Sequence, residues 1–97
     1  MNGITREEAL RRVGEGWSGI IDLLYDLKPL EVVVSDVKEK YGTLRFYTWS
    51  STEQFENVVS QIEILSENIC EVCGKLGRTR FDRSWYKTLC DEHNTKP

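Results

Sequence analysis

Hydrophobic residues recur along the chain with two different periods. Between Trp17 and Leu27, the residues Trp17, Ile20, Ile21, Leu24 and Leu27 follow one another at offsets of three and four. That spacing predicts a helix with one buried stripe, stopped by Pro29. Ahead of it, Thr5 followed by Glu8 has the spacing of a capping box, and predicts a short helix over about residues 6–13 that ends near Gly14 and Gly16. From Glu31 to Trp49 the period falls to two. Val33, Val37 and Tyr41 then share one face of a first strand, and Leu44, Phe46 and Thr48 share one face of a second. Asp36, Lys38, Lys40, Arg45 and Tyr47 fall on the opposite face. Gly42 sits where a tight hairpin turn needs positive φ.

The helical period returns over about residues 53–69, with Ser51 or Thr52 available as the cap. Phe55, Val58, Val59, Ile62, Leu65 and Ile69 form one apolar face there. Glu53, Glu56, Glu63 and Glu67 form a separate acidic stripe, and Ile64 lies off the apolar face. No Lys or Arg occurs in this stretch to offset the stripe. The pattern predicts a single α+β domain: N-terminal helices, a β-hairpin and an amphipathic helix over 1–69, then a C-terminal module over 70–97.

Composition narrows the class. A hydrophobic fraction of 39% and a charged fraction of 30% exclude a low-hydrophobicity disordered chain, yet 97 residues build only a small core that benefits from a staple. No apolar run reaches the roughly 18 residues of a membrane span, so no membrane partner is expected. The first residues, Met1 to Glu8, contain no apolar signal core, which leads to the expectation of a cytoplasmic protein.

The net charge of −3 is unevenly spread: −2 over residues 1–27, +1 over 28–49, −4 over 50–69 and +2 over 70–97. Any nucleic-acid footprint is therefore expected in the C-terminal third.

The staple is readable as a metal. Cys70-Glu71-Val72-Cys73-Gly74 and Cys90-Asp91-Glu92-His93 are two pairs of ligand residues, each with a two-residue gap, and 16 residues separate them. An odd count of three cysteines argues against a disulfide framework. Three thiolates and an imidazole suit tetrahedral zinc, and the closed set of four points to a structural ion rather than a catalytic one. A redox dithiol is the main competing reading, but it expects the Cys-x-x-Cys at a helix start after a strand, without a matching Cys/His half. Ordinary burial of Cys90 and His93 is the blander alternative.

Gly74 lets the backbone turn past Cys73, where its amide can donate to the thiolate. Segments 78–81 and 85–89 read as two short strands around Asp82-Arg83-Ser84, giving a zinc-ribbon or treble-clef-like module. Lys75, Arg78 and Arg80 are placed to offset its negative ligand set.

These motifs together carry a resemblance. Gly16-Trp17 with Ile20-Ile21-Asp22-Leu23-Leu24, the hairpin Val37-Lys38-Glu39-Lys40-Tyr41-Gly42-Thr43-Leu44-Arg45-Phe46-Tyr47, Cys70-Glu71-Val72-Cys73-Gly74 and Thr88-Leu89-Cys90-Asp91-Glu92-His93 resemble a family of small zinc-ribbon proteins from bacteriophages, prophages and bacteria. Tyr41, Thr43 and Asp36 stand where many members carry Phe, Gly and Gln. The family offers no established enzymatic activity to carry over. The resemblance implies a phage or prophage accessory protein, including the class that inhibits host defence systems such as CRISPR nucleases.

Three functional classes compete. An enzyme lacks support because the only histidine is assigned to the metal, and no phosphate-cradling loop, nucleophile elbow or deaminase signature is present. Binding of a protein partner is the leading expectation, with Glu53, Glu56, Glu63 and Glu67 facing a basic groove and Tyr47 and Trp49 as anchors. The alternative is nucleic-acid binding by Lys75, Arg78, Arg80, Arg83, Trp85 and Lys87, a mixture of cations and stacking surface. Against it, Phe81 and Trp85 could instead fill a small core beneath the ribbon.

Overall fold

The computed structural model describes residues 3–94. Among them, helices α1 (Arg6–Arg12), α2 (Ser18–Leu27) and α3 (Glu53–Leu65) combine with two two-stranded antiparallel sheets. One sheet pairs β1 (Val33–Lys40) with β2 (Thr43–Trp49), and the other pairs β3 (Arg78–Arg80) with β4 (Lys87–Leu89). The fold is α+β, with its Cys/His cluster at the C-terminal end. No helix among the described residues is long and apolar enough to cross a membrane.

Local chemistry explains the helix ends. The Thr5 hydroxyl accepts from the Glu8 amide at 3.2 Å and starts α1. Glu8 does not complete a capping box, because its carboxylate is held by Arg11 at 2.8 Å and Arg12 at 3.0 Å. Thr52 caps α3 by accepting from the Phe55 amide at 3.1 Å. That helix is shorter than its hydrophobic pattern suggests, since Ser66–Asn68 tighten into a 3-10 turn. Ser66, not Leu65, is the buried residue there, and Leu65 is exposed. The Ser66 hydroxyl accepts from the Leu44 amide at 3.0 Å and donates to the Glu63 carbonyl, closing the helix end onto β2.

The core lies between the hairpin and the two longer helices. Trp17, Ile21 and Leu24 are fully buried, and they meet Val32, Val34, Val37, Leu44 and Phe46 from the hairpin side. Phe55, Val59 and Ile62 close it from α3. The Phe46 ring joins the layers, lying edge-on to Tyr25 at 5.7 Å and Phe55 at 6.4 Å between centroids. Leu27, the last residue of the α2 stripe, is exposed because the chain has already turned away toward Pro29.

The strand alternation is broken once. Val34 pairs with Thr48 but Asp36 pairs with Tyr47, so Ser35 is the extra residue of a β-bulge. The bulge lets Val34 and Val37 both face the core, an odd separation that a regular strand forbids. Val33 accordingly does not share Val37's face, and Tyr41 stands exposed at the hairpin tip.

The two-residue turn has positive φ at both Tyr41 (54°) and Gly42 (84°). This is the mirror-image turn whose twist suits a hairpin. Glycine accepts that geometry freely, whereas a non-glycine residue there costs roughly 1–2 kcal/mol. The Gly42 amide is satisfied by the Glu39 carboxylate at 2.7 Å.

Candidate metal centre

Two loops form the centre. In the first, Ile69 bridges to Leu76 across the base of the loop, and the Cys70 amide donates to the Lys75 carbonyl at 2.8 Å. Gly74, at φ 82°, turns the chain inside this loop, and its amide donates to the Cys70 carbonyl at 2.9 Å rather than to a thiolate. The second loop leaves β4 at Cys90 and doubles back, with the His93 amide donating to the Cys90 carbonyl at 3.2 Å.

The two loops bring four ligand atoms together. The sulfurs of Cys70, Cys73 and Cys90 and a ring nitrogen of His93 all lie within 4.8 Å of one another and can hold a metal ion. Cys73 and Cys90 are 3.7 Å apart, and His93 Nδ1 lies 3.3 Å from Cys90 Sγ and 3.7 Å from Cys70 Sγ. None of the three cysteines is in a disulfide. Cys70 and Cys90 are buried, His93 is half-buried and Cys73 is exposed.

The backbone prepares these sulfurs for ligation. Burial alone pushes the Cys70 thiol up, but the amides of Cys90, Cys73 and Val72 outweigh it and bring its pKa down to about 6. At Cys73 the Lys75 amide favours the thiolate, yet burial and the adjacent Cys90 and Cys70 sulfurs leave its pKa raised. The charge of Cys70 beside it adds the smallest of these contributions, a repulsion between neighbouring sulfurs. A cation placed among them would remove that repulsion.

The rest of the protein is built against the first loop. The Gly16 amide donates to the Glu71 carbonyl at 2.9 Å, and the Trp17 indole donates to the Ile69 carbonyl at 2.9 Å. A methyl group on Gly16 would overlap the Cys70 carbonyl oxygen and approach the Gly74 nitrogen at 2.6 Å. Only glycine permits this approach. Glu71 is buried, accepting from the Thr88 amide at 3.0 Å and from Lys87 Nζ at 3.4 Å. No sequence signal beyond its place beside Cys70 marks Glu71.

The basic residues divide. Lys75 pairs with Glu92 at 3.4 Å, and that hydrogen bond and charge, with a smaller contribution from Cys73, raise its pKa. Arg80 is buried, donating to the Leu89 carbonyl from Nε at 3.2 Å and from Nη2 at 2.9 Å, and to Asp91 at 3.0 Å. Arg80 is thus committed inside the module. Arg78 is exposed, Arg83 and Lys87 are half-buried, and Trp85 is 69% exposed. Phe81 is 68% exposed as well, so neither ring fills a core beneath the ribbon. The strands stop at Arg80 and resume at Lys87, which leaves both rings on the connecting loop.

The acidic stripe also divides. Glu63 is half-buried and accepts from the Phe46 amide at 2.8 Å. Its pKa is raised, because burial outweighs that amide and the nearby Arg45. Glu56 accepts from the Thr48 hydroxyl at 2.7 Å. Both tie α3 to β2, while Glu53 and Glu67 face solvent, as do Tyr47 and Trp49.

The chain matches no protein-family model, no curated protein and no solved structure.

Proposed function

We propose that this protein is a non-catalytic accessory module of phage or prophage type, stabilised by zinc, that acts by binding a protein partner in the bacterial cytosol. Zinc is supported by the geometry of its candidate ligands Cys70, Cys73, Cys90 and His93. With zinc–sulfur at about 2.3 Å and zinc–nitrogen at about 2.05 Å, a tetrahedron has edges of about 3.8 Å between sulfurs and about 3.6 Å from sulfur to nitrogen. Three of the six separations are 3.7 Å for Cys73–Cys90, and 3.3 and 3.7 Å from His93 to Cys90 and Cys70, and all six lie within 4.8 Å. All four corners are protein atoms, the arrangement of an ion that folds a chain rather than one that activates water. Elemental analysis of purified protein should return one zinc per chain, and its absence would remove the staple.

The observation that carries protein binding is the solvent face of α3 and the turn after it. Glu53 and Glu67 are exposed together with Ile64 (63%) and Leu65 (44%), in a stretch without a single cation. Acidic groups around uncovered apolar side chains suit a basic groove on another protein, and a component of a host defence system fits the phage reading. The test uses the tagged full chain in a bacterial host lysate. A basic protein should copurify with the native chain and be lost from Glu53→Lys and Glu67→Lys. Undiminished capture by both variants would take α3 out of the proposal. Nucleic-acid binding by segment 75–87 is the second reading, favoured by the exposure of Phe81 and Trp85.

A further inference from the structure

Two lysine–tyrosine pairs on the hairpin continue into a run of aromatic rings that crosses to the ribbon. Lys38 Nζ lies 5.7 Å from the Tyr47 ring centre, and Lys40 Nζ lies 5.7 Å from that of Tyr41. Lys38 and Lys40 share the outer face of β1, two residues apart. The Tyr41 ring stands 6.4 Å from Tyr86 across the junction, and Tyr86 lies edge-on to Phe81 at 5.1 Å. Between the hairpin tip and the ribbon loop is an open cleft of about 470 Å³, lined by Lys40, Tyr41, Trp85 and Tyr86 with Ser84 and Glu39. Trp85, Phe81 and Tyr41 are each about two-thirds exposed (69, 68 and 66%).

We infer that this aromatic path is a binding platform for single-stranded nucleic acid. It rests on the second reading above, extends it from segment 75–87 onto the hairpin, and lies on other elements than α3. Three observations select this ligand. The path is built from the two segments of positive net charge, 28–49 and 70–97, while the remaining segments are both negative. Its rings Phe81, Trp85 and Tyr41 are uncovered and offer faces on which bases stack, with Lys40 beside Tyr41 to meet phosphate. One of the rings is also placed at a conformational cost: Tyr41 occupies positive φ, where Asn or Gly would be relaxed. Of the carboxylates nearby, Glu39 accepts from the Gly42 amide, Asp36 is held by Arg12 at 2.9 Å and lies 4.0 Å from Lys38, and Asp82 is exposed.

The experiment is a fluorescence-anisotropy titration of the metal-loaded full chain with labelled oligothymidylate of about 12 nucleotides, and with a duplex of equal length. The single strand should bind more tightly. With Lys38 and Lys40 as phosphate contacts, the log–log salt slope should be about −1.4. Trp85→Ala and Phe81→Ala, both on exposed rings, should each weaken binding about tenfold or more. Tyr41→Asn should weaken it similarly while keeping or raising the melting temperature, which separates loss of the ring from loss of the fold. Gln61→Ala, at an exposed position of α3, should leave it unchanged. No binding at about 100 µM protein in low salt would overturn the inference. So would equal affinity for duplex, or affinity unmoved by Trp85→Ala. Capture of a protein that depends on Trp85, with no oligonucleotide binding, would reassign the platform to a protein partner.

Discussion

The indole N–H of Trp17 donates to the carbonyl of Ile69 across 52 residues of sequence, one residue ahead of Cys70, the first candidate metal ligand. The largest buried side chain of the N-terminal half is thereby fastened to the start of the Cys/His module. Core and candidate metal centre share their most central hydrogen bond.

Trp17→Phe keeps most of the buried ring and leaves the Ile69 carbonyl without its partner. A buried unsatisfied acceptor costs about 1–3 kcal/mol. Chemical denaturation should show a lower midpoint with an unchanged slope. An unchanged midpoint would mean that water or another donor replaces the indole.

Gly16 and Gly19 offer a matched pair. A Cβ on Gly16 collides with the Cys70 backbone, whereas one on Gly19 meets nothing within 4 Å. Gly19→Ala should raise stability by about 0.5–1 kcal/mol through helix propensity alone. Gly16→Ala should lower both stability and metal content. Equal effects of the two substitutions, read by thermal melts and metal analysis, would contradict the close packing of residue 16 on the loop.

Removal of the metal should reach beyond residues 70–94. Zinc binding in small modules is worth about 10–16 kcal/mol, comparable to the whole stability of a domain. Because Gly16 and Trp17 rest on the first loop, a strong chelator should red-shift Trp17 emission as well as unfold the ribbon. The readout is tryptophan fluorescence of a Trp49→Phe, Trp85→Phe double variant. A ribbon that melts while Trp17 emission stays fixed would show two independent units.

Thr88 joins the hairpin to the ribbon. Its hydroxyl donates to the Gly42 carbonyl at 2.6 Å, so the 2.7 Å contact with Thr79 has Thr79 as donor. Thr88→Val removes the donor while keeping shape, and should cost about 1–3 kcal/mol. Hydrogen exchange should report faster opening at the β1–β2 turn; unaltered protection there would uncouple the two sheets.

Glu63 gives the pH dependence. Its folded-state pKa lies above the ordinary 4.5, so the neutral acid is favoured by folding. Stability from this group is full below pH 4.5 and is lost as pH rises through the raised folded value. Glu63→Gln keeps an acceptor for the Phe46 amide and removes the charge. Relative to the native chain, the variant should gain stability as pH rises from about 4.5 toward neutrality. A difference that stays constant over that window, measured by denaturant midpoints, would show no shift at Glu63.

Periodicity and ligand spacing made much of this legible in the chain. The helical stripe from Trp17 to Leu24, the turn at Gly42 and the quartet Cys70, Cys73, Cys90 and His93 follow from local geometry: 3.6 residues per turn, positive φ at a tight turn, and two ligands per short loop. Tertiary structure decided what local rules cannot encode. Whether Ser35 bulges depends on which valines the helices must cover. Whether Arg80 and Glu63 face water depends on the carbonyl and amide that other elements leave unpaired beside them. Exposure of Phe81 and Trp85, left open between stacking surface and core, was decided by strands too short to bury them, and that of Tyr41 by its place in the turn rather than the strand.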